Sequence, residues 1–291
     1  MPDLASVIEL LRAPAALTVP GDTLAGAAAA GWPFGGATFG LAASSVCLYW
    51  AGMALNDYAD RVIDLRERPH RPIPSGRVRP GFALGLASGL TAAGIGAAAL
   101  SGGSRALAVA LPLAASVWAY DLALKNTAAG PAAMAAARTL DVLLGAGAGR
   151  LRAATPAALT VGAHTLAVTA LSRHEVSGAQ RRAPVAALAG TGGVCVAAGL
   201  ALRGAARGTP ARRLSAGGLL AGYAATVGRA QIDAVRDPAP ARVQRAVGAG
   251  ILGTMLLQAG LAAGSGALRG AMTVASAFPL ARQLARRVSP T

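Results

Sequence analysis

The sequence is short of most of what a water-soluble protein presents to its solvent. Of its 291 residues only 13% are charged, well below the quarter or so usual in soluble domains. Acids are scarcest, with 12 Asp and Glu against 27 Lys and Arg and a net charge of +15. Lysine is all but missing: Lys125 is the sole example, and arginine carries the remaining basic charge. Aromatic residues make up 4%, too few for an obvious stacking platform. The two cysteines, Cys47 and Cys195, lie in separate apolar runs without CxxC spacing, which leaves no disulfide framework and no thiolate metal site. They read as small buried hydrophobes. The composition is 54% hydrophobic, with mean hydropathy +0.50. That excludes a disordered chain, which requires low hydrophobicity, and an ordinary soluble α/β enzyme. A pI near 11.6 would suit nucleic acid. The arginines instead punctuate apolar segments, as at the ends of membrane spans, so no nucleic-acid partner is expected.

What is present is a series of apolar segments, each close to the ~20 residues a spanning helix needs. They fall at 14–31, 36–56, 81–100, 105–124, 130–149, 156–172, 184–202, 213–231, 243–263 and 267–281. Many are rich in Ala and Gly, which let helix backbones approach closely inside a bilayer. The expectation is an all-α polytopic transmembrane bundle of about nine or ten spans, one integral-membrane domain over 1–291. Met1–Arg12 carries Asp3 and Glu9 and lacks the basic and apolar regions of a signal peptide. The loop Arg61–Arg79, with Arg61, Arg66, Arg68, Arg71, Arg77 and Arg79, is cytoplasmic by the positive-inside rule. Alternation brings the Lys125 turn, Arg173–Arg182 and Arg229–Arg245 to the same side. Arg203, Arg207, Arg212 and Arg213 fall on the other side, as a tolerated exception or because one late segment does not span.

The sharpest local signal is Asn56-Asp57-Tyr58-Ala59-Asp60-Arg61-Val62-Ile63-Asp64. Spacings of three and four put Asp57, Asp60 and Asp64 on one helix face, with Asn56 at its border. Acids at a membrane boundary mark a pathway or a site. Hard oxygen ligands in this number suit Mg²⁺, which is held by carboxylates together with substrate phosphates. The next segment, Arg66 to Arg77, alternates arginine with Pro69, Pro72 and Pro74. Arginine forks bind phosphate bidentately, and the prolines hold them in place, so the two segments together form a diphosphate cradle. The competing reading pairs the three acids with Arg61 and Arg68 at a solvated helix end. Further along, Arg138 and Asp141 stand i, i+3 within an apolar segment. Charges at that depth are functional by default, which places them in a substrate cavity, with a purely structural ion pair as the alternative. Asp233 and Asp237 either supplement the acidic site or pair with Arg229 and Arg236.

Asn-Asp-x-x-Asp-x-x-x-Asp closing the second span, followed by Arg-Pro-Ile-Pro-Ser-Gly, resembles the UbiA superfamily of intramembrane prenyltransferases. The motifs stand at residues 56–77, and length and span count are similar over most of the chain. The resemblance implies an α-helical membrane enzyme. Such an enzyme moves a prenyl chain from a polyprenyl diphosphate to an aromatic or other small-molecule acceptor, with Mg²⁺ bridging diphosphate and aspartates. It assigns Asn56, Asp57, Asp60 and Asp64 to the metal–diphosphate site, and Arg71 to the diphosphate; Arg68 in the same loop is a further candidate for substrate binding. Tyr120-Asp121-Leu122-Ala123-Leu124-Lys125 resembles the family's Tyr–Lys element, which gives Tyr120 and Lys125 roles at the same site. A second acidic motif is expected after the sixth span. The matching stretch, Ser172-Arg173-His174-Glu175-Val176-Ser177-Gly178, holds one acid, Glu175. Arg173 there stands where it can contact phosphate directly, and His174 is a candidate proton carrier. This departure is similar to a divergent, EboC-like branch. Two other classes compete. A CDP-alcohol phosphotransferase would carry Asp-Gly-x-x-Ala-Arg, which is absent. A non-catalytic relative binding isoprenoid or lipid diphosphates would need no second motif.

Overall fold

The computed structural model describes residues 2–31, 35–147, 150–204 and 209–287. Among these the chain forms ten α-helices and no strand. They are α1 (Leu4–Leu10), α2 (Pro20–Ala29), α3 (Gly36–Glu67), α4 (Pro80–Ala119), α5 (Gly130–Gly145), α6 (Leu151–Ser172), α7 (Arg182–Gly204), α8 (Pro210–Arg236), α9 (Pro240–Gly264) and α10 (Leu268–Arg287). A 3-10 turn, Ala13–Thr18, precedes α2, and a π-turn, Tyr120–Leu124, ends α4. Proline opens α2, α4, α5, α8 and α9, where its missing N–H is no loss and its fixed φ suits the first turn.

The expected apolar segments all become helical, and α4 accounts for two of them. Gly103 has φ 61° and ψ −153° in the middle of it, a conformation open to glycine and strained for other residues. The chain reverses there. The indole of Trp118 donates to Thr91 Oγ1 at 3.0 Å across the two arms, so Pro80–Ala119 is a pair of antiparallel helices. Among the described residues, five helices are long and apolar enough to cross a membrane: α3, α4 with its π-turn, α6, α7 and α9. The segments expected at 14–31 and 130–149 give only 10 residues of α2 and 16 of α5. These two pack against each other in the interior. A Cβ at Gly26 would strike the Val142 carbonyl, and one at Gly145 would strike Thr23 backbone. The small residues thus set an axis-to-axis approach that larger side chains would forbid.

Hydrogen bonds identify the two ends of the bundle. At one end Arg77 clasps Glu9, Arg173 donates to the Thr127 carbonyl, Ala179 N–H donates to Pro238 O at 3.0 Å, and Gln244 donates to Glu175 O at 3.2 Å. At the other, Arg150 donates to Ala30 O at 3.2 Å and Arg212 Nε to Gly264 O at 2.7 Å. The segments around residues 68–79, 125–129, 173–181 and 237–239 therefore share one end, as alternation requires. Arg212 lies at the other because it closes the C-terminal carbonyls of α9, a use of a cation that the helix dipole favours. Arg207 lies outside the described residues.

Candidate active site

The apolar length of α3 runs out near Asn56, but the helix continues unbroken to Glu67. Asp57, Asp60 and Asp64 are thereby displayed along one face, as their spacing requires. Each finds a basic partner, and neither Arg61 nor Arg68 is among them. Asp57 Oδ1 takes Arg12 at 3.2 Å and Arg71 at 3.4 Å. Asp64 Oδ2 takes the same Arg71 nitrogen at 2.8 Å. Asp60 Oδ1 pairs with Lys125 Nζ at 2.7 Å. Asp57 and Asp64 are buried, at 3% and 2% exposure. At that depth a carboxylate without a counter-charge would cost several kcal/mol, roughly 3–5, which accounts for the pairing. Arg61 instead lies over the Tyr58 ring and donates to Tyr58 O. Asp57 and Asp64 share one Arg71 nitrogen while Asp60 pairs apart with Lys125, and among the described residues no group of three His, Cys, Asp or Glu is placed to hold a metal ion.

Two local devices position the cations. The loop after α3 is closed on itself by Ser75 N–H to Arg71 O at 3.0 Å and Val78 N–H to Pro72 O at 2.9 Å. Ile73 and Val78 are buried beneath it, which fixes Arg71 over Asp57 and Asp64. The π-turn is closed by Lys125 N–H to Tyr120 O at 2.9 Å. Turns of this kind recur at functional sites, and here one brings Asp121 toward α3. Asp121 Oδ1 accepts from Asn56 Nδ2 at 3.0 Å. Asp121 was not among the residues singled out in the sequence, although it stands inside the Tyr120–Lys125 element. Arg12 was also missed. It adopts φ 45°, a left-handed conformation that costs a non-glycine residue free energy and is concentrated at functional sites.

Below these pairs lies a cavity of about 380 Å³, the size of small-molecule sites in general. Arg12, Asn56, Tyr120, Asp121 and Ser172 surround its outer part. Leu48, Met53, Val117, Val168 and Ile251 form an apolar belt, and Ser45, Arg138, Asp141, His164 and Thr254 close the inner end. Of the sequence-derived site residues, Asn56, Tyr120, Arg138 and Asp141 line it directly. Asp57, Asp60, Asp64, Arg71 and Lys125 stand beside it as the ion-pair frame. Arg68, Arg173 and Glu175 belong to the loops at the same end. Arg173 is engaged with Thr127 O, which ties the 172–178 stretch to the Lys125 turn. Burial raises the Glu175 carboxyl above its ordinary value, partly offset by the charge of Arg68.

The expected Arg138–Asp141 pair does not form. Arg138 Nε pairs with Asp22 on α2 at 3.0 Å, while Asp141 Oδ2 accepts from Ser45 at 2.8 Å. Asp22 Oδ1 also takes Gln258 at 2.7 Å. Packing α2 against α5 brings a better-placed acid to the guanidinium than the i+3 neighbour. Asp237 likewise pairs with Arg242, at 3.6 Å, rather than with Arg229 or Arg236. His164 bonds Tyr223 through Nδ1 at 2.9 Å, and Thr254 Oγ1 and Gly250 O through Nε2 at 2.9 and 3.1 Å. The Gly250 carbonyl can only accept, which assigns the proton to Nε2.

The model of the UbiA prenyltransferase family matches residues 17–202. The chain belongs to that family. The resemblance carried by residues 56–77 is thereby borne out. Among curated relatives, the digeranylgeranylglyceryl phosphate synthase of Methanopyrus kandleri is 41% identical over 85 residues, 29% of this chain and 30% of that one. The protein of the same name from Natronomonas pharaonis is 42% identical over 79 residues, 27% and 28% of the two chains. The similarity to these relatives spans under a third of their length. A solved structure of a digeranylgeranylglyceryl phosphate synthase superposes with TM-score 0.66 at 15% identity, covering 91% of this chain and 99% of its own. A UbiA homolog from Aeropyrum pernix K1 superposes with TM-score 0.63 at 20% identity, covering 84% and 96%. Both share the fold of this UbiA-family chain.

Proposed function

We propose that this UbiA-family protein is an intramembrane prenyltransferase that takes a polyprenyl diphosphate, diphosphate at the outer end of the cavity and tail in the apolar belt, and transfers the prenyl group to a second substrate. The observation that carries the proposal is the joining of Asn56 to Asp121 at the cavity, flanked by Arg12–Asp57 and Asp60–Lys125. Acids and cations are interleaved there, beside an apolar chamber. By the positive-inside rule that end faces the cytoplasm.

The donor set fits Mg²⁺. Asp60 and Asp121 each spend one carboxylate oxygen on a protein donor and keep the other. Asn56 donates to Asp121 through Nδ2, so its amide oxygen is not used in that bond, and all three groups offer hard oxygens. A cage of one or two carboxylates completed by substrate phosphates is the usual Mg²⁺ arrangement. When bound, the ion would offset the charge of the departing diphosphate. Arg12, at the cavity wall, donates to the diphosphate oxygens. Asp57, Asp64 and Arg71 hold the end of α3 in register. Lys125 holds the Asp60 carboxylate in place through their ion pair. Leu48, Val117 and Ile251 keep water from the allylic cation that forms when the C–O bond breaks. The relatives' name supports a prenylated glyceryl phosphate as the first acceptor to try.

The pairing of every acid of the first motif with a basic side chain of the same chain favours one other reading, a non-catalytic protein that binds isoprenoid diphosphates. Calorimetry in lipid nanodiscs separates them. Geranyl, farnesyl and geranylgeranyl diphosphates are titrated with Mg²⁺ and with EDTA, against Asp60→Ala. Mg²⁺-dependent binding lost in the variant, followed by turnover with an acceptor, supports the transferase. Binding without turnover of any acceptor supports the other reading. No binding by folded protein sinks both.

A further inference from the structure

The cavity is polar at both ends and apolar between. Its outer polar end is the site already described; its inner one has no part in diphosphate chemistry. Ser45 precedes Asn56 on α3 by eleven residues, which at 1.5 Å per residue is about 16 Å along one continuous helix. Asp141 is bonded to Ser45 at 2.8 Å and so lies at the same depth. No proton at the reacting carbon can reach a base that far away, since transfer needs hydrogen-bond contact or one water.

What the inner layer can do is stop a tail. Asp22, Asp141 and Gln258 are at most 5% exposed. Of these only Asp141 lines the cavity, and its Oδ1 accepts no hydrogen bond from a protein donor. A terminal methyl pressed onto that oxygen would exclude any water that serves it, and a buried acceptor left unserved is costly. Arg138, paired with Asp22, closes the same layer with a second group that hydrocarbon cannot solvate. Above it the wall is apolar, so free energy of burial accrues with each isoprene unit down to the layer and no further.

We propose that Ser45, Asp141 and Arg138 form the floor of the prenyl-tail cavity, with Asp22 behind them holding Arg138, and set the longest tail it takes. With C–C bonds of about 1.5 Å an extended isoprene unit spans about 5 Å, so a depth of about 16 Å holds about three units, a farnesyl chain. The inference rests on the proposed donor site and adds its chain-length selectivity.

The test uses the full-length protein in nanodiscs with Mg²⁺ and the unreactive thiolo-diphosphate analogues of geranyl, farnesyl, geranylgeranyl and octaprenyl donors. Inorganic diphosphate serves as a probe of the outer end alone. Affinity should rise from geranyl to farnesyl and fall about tenfold at geranylgeranyl, a discrimination of the size a filled apolar pocket gives. Asp141→Ala should bring geranylgeranyl back to near the farnesyl affinity. Ala137→Leu adds bulk one turn nearer the mouth, about 6 Å above the floor, and should move the preference to geranyl. It remains informative if the Asp141 variant does not fold. Equal affinity for farnesyl and longer tails, or a length profile unmoved by Ala137→Leu, overturns the floor while diphosphate binding still upholds the donor site. Failure of every diphosphate, the inorganic one included, removes both.

Discussion

Arg71→Ala should unfold the bundle more readily than loss of any arginine on the outer surface. One guanidinium nitrogen serves two buried carboxylates, Asp64 at 2.8 Å and Asp57 at 3.4 Å, and the Arg71 side chain is itself only 12% exposed. Removing one partner of a buried pair costs roughly 3–5 kcal/mol, because the other charge stays buried. Asp57 keeps Arg12 at 3.2 Å, which places the expected loss at the lower end, about 3 kcal/mol. Asp64→Ala should cost less, since Arg71 retains Asp57. The double variant should be less damaging than the two losses added, by about 2 kcal/mol, the coupling expected of groups in one network. Reversible unfolding in bicelles, followed by steric trapping, gives all three values. A loss under about 1 kcal/mol for Arg71→Ala, the yield of a solvated surface pair, or strictly additive effects, would refute the buried-frame account.

Gly145→Ala should fail to assemble a native bundle, because its Cβ meets the Thr23 backbone, which cannot move aside as a side chain could; thermal unfolding of the detergent-solubilised protein reads this. Arg12→Ala should weaken inorganic diphosphate binding by about ten- to a hundredfold, the value of a hydrogen bond to a charged group, with Arg12→Lys restoring part of it in the same titration. Burial raises the Glu175 carboxyl above 4.5, so the folded chain holds that proton more tightly than the unfolded one. Stability therefore falls as pH rises from about 4.5 through the folded value. Glu175→Gln should remove that decline, and identical pH–stability curves for the two proteins would contradict it.

Much of the bundle was legible because the bilayer permits so few structures. Apolar segment length marked every helix of the described residues except the short α1, and the gap between 81–100 and 105–124 marked the reversal at Gly103. The face shared by Asp57, Asp60 and Asp64 was legible for a similar reason: helical period is a local property. Their partners were not, because choice of partner belongs to the packed state. Asp60 finds Lys125, and Gln258 finds Asp22, 236 residues away. Arg138 was expected to take Asp141 at i+3 and takes Asp22, since α2 carries only small residues at the crossing. Arg12 and Asp22 each stand near apolar sequence without a spacing pattern, and only the tertiary fold gives them a role.

The wiring of the ion-pair frame also fixes the order in which it can be completed during synthesis. Arg12 is made before Asp57, and Arg71 follows Asp64 by seven residues, so the partners of those two acids are in the chain almost as soon as the acids are. Asp60 and Asn56 wait for Lys125 and Asp121, the latter pair separated by 65 residues, a delay of about 3–13 s at 5–20 residues per second. Through that interval the chain must insert the whole reversing arm of α4 beside an acid that has no counter-charge. Closure of the Lys125 turn thus supplies the last counter-charge of the frame.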